Sequence, residues 1–125
     1  MPDVQRCIPS AEKSALLVID IQERLAAAMP AEPLARTVRN ARILIEGARV
    51  LGLPVFVTEQ YPKGLGATVQ ALASALGDTR RIEKIAFSCC GEPACLDALK
   101  ASGARDILVC GMETHVCVFQ TVLDL

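Results

Sequence analysis

The chain has 125 residues, 13 basic and 14 acidic for a formal net charge of −1, with 52% hydrophobic and only 3% aromatic residues. That length predicts one compact domain, the apolar content excludes a disordered chain, and the absence of any basic run argues against a nucleic-acid or anionic-membrane surface. A small-molecule substrate or another protein surface is the expected partner, and the core must be built from Ala, Val, Leu and Ile.

The opening stretch MPDVQRCIPSAEKS has no apolar targeting core, and no run reaches the length of a membrane span. A cytoplasmic location is therefore expected, and the six cysteines read as free thiols rather than as a disulfide framework. Residues 15–19, ALLVI, form a continuous apolar run that ends at Asp20, the pattern of a strand buried on both faces of a parallel sheet. Over residues 34–51, apolar side chains recur at Leu34, Val38, Ala41, Ile45 and Ala48, with Arg36, Arg39, Arg42, Glu46 and Arg49 on other faces. This predicts an amphipathic helix, capped by Gly52. Residues 53–58, LPVFVT, predict a second buried strand and complete a βαβ unit.

Residues 59–66, EQYPKGLG, read as loop by their Pro and Gly content, residues 68–76 as a short helix, and residues 80–87 as a third strand interrupted by charge. Pro93 opens a helix that runs to Ser102 and closes at Gly103, and residues 106–110 form a fourth strand. The apolar run then stops at Gly111, turns through residues 112–116 and delivers Cys117 at the start of the next helical stretch.

Alternating strands and helices predict an α/β fold, a three-layer sandwich around a mostly parallel, Rossmann-like doubly wound sheet, which binds ligands beyond the carboxyl ends of its strands. Asp20 and Cys117 fall near that edge, and Lys84 reaches it if the third strand ends there. A cysteine at a strand-to-helix turn sits under backbone N–H groups and the positive end of a helix dipole, so Cys117 is expected to favour its thiolate. Plainer roles exist for each: Asp20 as a helix cap, Lys84 as a solvated strand-end charge, Cys117 as a small buried apolar residue. Gln22 is placed to orient Asp20 or a substrate, though a surface helix position fits it equally. Tyr61 and Phe87 are candidates to wall a small pocket.

Cys89, Cys90 and Cys95 beside Glu92 do not match a structural zinc spacing and lack a convincing fourth ligand, so packing is the better reading and no metal is assigned. His115, the single histidine, lies only two residues before Cys117 and is a poor general base for it.

Four segments in this order, VIDIQ around Asp20, TEQYPKGLG, IEKIAFS around Lys84 and GMETHVC before Cys117, resemble the isochorismatase-like cysteine hydrolases. The TEQYPKGLG stretch is most similar to the isochorismatase-domain-containing proteins of undefined substrate. The resemblance implies a catalytic triad of Asp20, Lys84 and Cys117, an oxyanion hole at the backbone N–H groups of Glu113 and Cys117, and a cis peptide between Met112 and Glu113. It implies hydrolysis of a small amide or related acyl substrate through a thioester, with no cofactor. The nicotinamidase-like branch of that family holds a metal with an aspartate and two histidines between the first two catalytic segments, and this sequence has no histidine there. True isochorismatases lack the nucleophilic cysteine.

Members of that family continue well past the cysteine helix, so the single domain of residues 1–125 is expected to be incomplete at its C-terminal end. The fourth strand then lacks a neighbour: either the chain is a fragment or another subunit covers that edge, and a homo-oligomer is expected. Two other readings stand beside the hydrolase: a non-catalytic scaffold of the same fold, and a thiol redox sensor using Cys89 or Cys90.

Overall fold

The computed structural model describes residues 4–125. Strand β1 (Ser14–Ile19) is buried along its whole length, as an unbroken apolar run on a two-sided sheet must be. The chain then passes through the one-turn helix α1 (Glu23–Ala27) into α2 (Ala31–Val50), which buries Ala41, Ile45 and Ala48 at helical spacing and turns its arginines outward. Gly52, at φ +71°, reverses the chain into β2 (Val55–Gln60). There follow α3 (Pro62–Leu65), α4 (Gln70–Leu76), β3 (Arg81–Lys84), α5 (Pro93–Ala101) and β4 (Asp106–Gly111). A π-helical turn (Thr114–Val118) leads into α6 (Phe119–Asp124).

The four strands are parallel and lie in the order β3-β2-β1-β4. Strands β1 to β3 step one way and β4 returns to the other side of β1, so the direction of winding switches between β1 and β4. Alternate residues of the sheet face different layers. Leu16, Val18 and Val57 pack with Ala41, Ile45, Leu72 and Leu76 on one side. Leu17, Ile19 and Ile82 pack with Cys89, Cys95, Leu99 and Cys117 on the other. The expected α/β sandwich with a doubly wound parallel sheet is the observed one.

Two boundaries differ from the sequence expectation, and both matter for the site. Strand β2 starts and ends two residues later, because Pro54 has no N–H to donate and offers only its carbonyl, to Leu16. Thr58, Glu59 and Gln60, expected at the strand end and in a loop, are buried strand residues, each with a side-chain partner. Strand β3 ends at Lys84 rather than running on to residue 87, and the following bend turns the carbonyls of Ala86 and Phe87 back onto the Lys84 ammonium. No helix among the described residues is long and apolar enough to cross a membrane.

Candidate active site

Three chain segments converge where the sheet switches direction. Asp20 follows β1, takes a left-handed backbone conformation at φ +50° and is fully buried. Asp tolerates that conformation better than most residues, and two contacts from Thr58 hold it there. The Asp20 N–H donates to the Thr58 carbonyl at 3.2 Å, and the Thr58 hydroxyl donates to Asp20 Oδ1 at 2.8 Å.

Lys84 reaches the same carboxylate from β3, two strands away, by crossing over β2. Its Nζ pairs with Asp20 Oδ2 at 2.8 Å, both side chains being fully buried. A buried ammonium is tolerable only when its donors are satisfied. Here Gln60 Oε1 accepts from Nζ at 2.7 Å, the Phe87 carbonyl at 2.8 Å and the Ala86 carbonyl at 3.1 Å. The alternative of a solvated strand-end lysine is thereby excluded.

Cys117 arrives from the turn after β4 and is 5% exposed. Asp20 and Lys84 are the charged groups that act on its thiol. The structure thus brings together the three side chains that the sequence motifs single out. The protonation state differs from the expected thiolate: burial first, and then the neighbouring Asp20 carboxylate, push Cys117 up to about 12, and the opposing pull of Lys84 is smaller. The resting group is a thiol.

Gly111 sets the approach of this turn. Its φ is +145°, and a Cβ built there would lie 2.1 Å from the Ile19 carbonyl oxygen, so only glycine lets the end of β4 meet the end of β1. The Met112 N–H donates to that same oxygen at 2.9 Å, and the Met112–Glu113 peptide is cis, as the resemblance implied. The Glu113 carbonyl accepts from Val116 and Val118, closing the turn that carries Cys117. His115 is largely exposed and turns toward Glu113, at 3.8 Å.

Gln22 is neither on the surface nor free to meet a substrate. Its amide nitrogen donates to the Gln60 and Gly66 carbonyls and its oxygen accepts from the Gln60 N–H, so both ends of the amide hold the end of β2 and the loop after it. Tyr61 and Phe87, each 52% exposed, stand at the ends of β2 and β3. Tyr61 lines a cavity of about 350 Å³ together with Pro62, Glu83, Lys84, Ile85 and Glu92. Phe87 serves Lys84 through its carbonyl, its ring remaining at the rim.

Sequence reasoning missed three supporting residues. Thr58 clamps Asp20, Gln60 accepts from Lys84, and Thr121 donates to the Cys117 carbonyl at 2.6 Å while accepting from the Cys89 N–H at 2.9 Å. Thr121 lies one helical turn after Cys117, a spacing at which a threonine hydroxyl reaches back to a carbonyl, and that signal was readable. Cys89 and Cys95 pack in the core layer beside Leu17 and Leu99, and the Cys95 thiol hydrogen-bonded to Cys89 holds Cys89 down and Cys95 up.

Residues 14–125 match the Isochorismatase domain family. The chain is 38% identical to isochorismatase domain-containing protein 1 of Danio rerio, over 90% of this chain and 38% of that one. It is 37% identical to isochorismatase domain-containing protein 2 of Rattus norvegicus, over 91% of this chain and 52% of that one. Among solved structures, one described as MAR1 ribonuclease from Caenorhabditis elegans superposes with a TM-score of 0.80 at 42% identity, covering 93% of this chain and 58% of the other. The chain thus spans about half the length, or less, of these curated relatives.

Proposed function

We propose, because this chain belongs to the isochorismatase domain family, that its site is that of a cysteine hydrolase cleaving a small amide or related acyl substrate, with Asp20, Lys84 and Cys117 as the reacting machinery. The observation that supports this reading is the fully buried Asp20–Lys84 ion pair at 2.8 Å, whose carboxylate and ammonium both act on the buried Cys117 thiol. A thiol beside its own base can lose its proton in the step in which sulfur attacks an electrophilic carbon.

Asp20 takes the Cys117 proton as sulfur bonds to the carbonyl carbon, while Lys84 offsets the charge that passes through the sulfur. The backbone N–H groups of Glu113 and Cys117 receive the developing oxyanion. Asp20 then returns the proton to the leaving amine, and a thioester remains on Cys117. Water, deprotonated by Asp20, attacks that thioester, and the acid leaves as the thiol is restored. No metal or cofactor enters these steps.

The C. elegans relative's name raises RNA as a substrate. A cysteine residue only 5% exposed on a chain of net charge −1 suits a small carbonyl compound better than a polyanion. Six free cysteines suit a reducing compartment such as the cytosol.

The test is alkylation by iodoacetamide near neutral pH, mapped by mass spectrometry. Cys117 is expected to react faster than the buried Cys89 and Cys95, and Asp20→Asn or Lys84→Met to slow it about tenfold or more. Equal rates at every thiol, unchanged by either substitution, would favour the scaffold reading. Reversible oxidation at Cys89 or Cys90 with an unreactive Cys117 would favour the redox sensor. A screen of small amides and esters read for an acyl adduct on Cys117 then defines the substrate class.

A further inference from the structure

We propose that Thr58 is a positioning residue for the proton transfer, fixing the Asp20 carboxylate so that it stays presented to the Cys117 thiol. The inference rests on the hydrolase reading of the site, in which Asp20 is the base. Its geometric ground is a clamp at two points: the Thr58 main-chain carbonyl accepts from the Asp20 N–H, and the Thr58 side chain donates to Asp20 Oδ1 at 2.8 Å. Main-chain contact alone orients the peptide. It leaves the carboxylate free to turn about its last torsion, and Lys84 holds only Oδ2. With Thr58 on Oδ1, both oxygens are fixed and the plane of the carboxylate is set.

The proton inventory supports the direction of this contact. A threonine hydroxyl has one hydrogen, and the carboxylate at 2.8 Å takes it. Cys89 Sγ lies 3.7 Å from the same hydroxyl, a longer contact that competes only weakly for that hydrogen. The titratable groups that meet Asp20 are thus Lys84 from β3, Cys117 from the turn after β4 and, behind Thr58, Cys89 from the bend before α5. Thr58 is fully buried in the ladder, in register with Ile19, the residue just before Asp20. Its β-branched side chain has few rotamers to choose from.

A merely structural Thr58 would tolerate valine, its isostere without the hydroxyl, with a change in stability alone. The positioning role predicts more. In the full chain, Thr58→Val should lower the rate of Cys117 alkylation by iodoacetamide near neutral pH about tenfold, the low end of what one hydrogen bond to a charged group is worth. It should also move the acid limb of the pH–rate profile to higher pH, because a donor to the ionised carboxylate has been removed. Thr58→Ser, which keeps the hydroxyl, should recover both the rate and the limb to within about threefold of the native chain. Should the valine variant fail to fold, Thr58→Ala against Thr58→Ser makes the same comparison. A native rate and an unmoved limb in a hydroxyl-free variant overturn the proposal, as does equal impairment by serine. Asp20→Asn is measured alongside: if it leaves Cys117 as reactive as before, the hydrolase reading fails first; if it slows Cys117 and Thr58→Val does not, only the role of Thr58 falls.

Discussion

A thiol buried near a carboxylate leaves a signature in stability as well as in reactivity. Burial and Asp20 push Cys117 up to about 12, and burial pushes Cys110 up to about 11. A group whose pKa is raised on folding binds its proton more tightly in the native state. Its contribution to stability is complete below the unfolded thiol's pKa, about 8.5, and drains away as pH rises toward the folded value. Urea unfolding should therefore show stability falling between about pH 8.5 and about pH 11, each thiol adding at most about 1.4 kcal/mol per pH unit. Cys117→Ala should flatten that slope, whatever constant offset its smaller side chain adds. Parallel slopes for the two proteins would mean that Cys117 titrates normally. The pairing of Asp20 with Lys84 was legible in the sequence as a convergence at the strand ends, and motif order singles out Cys117 beside them. The protonation state of Cys117 was not, since the helix dipole and backbone N–H groups were weighed there without the desolvation that only packing reveals. Thr58 escaped for a related reason: a threonine in a β run looks like a strand former until register sets it beside Asp20.

At the level of elements, the alternation of apolar runs and amphipathic stretches was enough to place β1, α2, α5 and β4 close to their observed positions, since burial on two faces and helical periodicity are both written locally. What was not local was the extent of β2 and β3. Buried polar residues continue β2 through Gln60 only because Asp20, Thr68 and Lys84 supply partners from elsewhere. The junction of β1 and β4 depends on one glycine, and its cost can be measured. Gly111→Ala places a methyl group 2.1 Å from a backbone oxygen that cannot move without displacing Asp20. Gly103→Ala meets nothing within 4 Å and suffers only its positive φ of +69°. The second substitution should cost about 1 kcal/mol, the penalty of the left-handed conformation. The first should cost about 2 kcal/mol or more, as overpacking against rigid surroundings does, and should slow Cys117 alkylation as well. Equal costs in urea unfolding, with Cys117 reactivity untouched in both, would show that the β1–β4 contact does not position the site.

For the molecule as a whole, β1 and β4 make a controlled comparison. Both are six-residue parallel strands rich in apolar side chains, yet β1 is buried at every position and β4 only half-buried at every position. The difference is pairing: β1 lies between β2 and β4, whereas β4 is an edge of the sheet formed by the described residues. Beside that edge is a cavity of about 490 Å³ lined by Leu96, Leu99, Ile107, Val109 and Val122. Phe119, Val122, Leu123 and Leu125 of the last segment are each more than half exposed. An unpaired strand edge next to exposed apolar side chains is a template for association, because ladder hydrogen bonds and apolar burial become available together. The 125-residue chain on its own should therefore associate, with a sedimentation coefficient that rises over a roughly hundredfold range of concentration. Leu123→Lys places a charge on the exposed face at a position 67% exposed, so it should leave folding stability within about 0.5 kcal/mol of the native chain and weaken the association. A chain that sediments as a monomer at every concentration would show that the β4 edge is protected by its own twist and by the flanking helices. A lysine variant that associates as strongly as the native chain would place the contact on another surface.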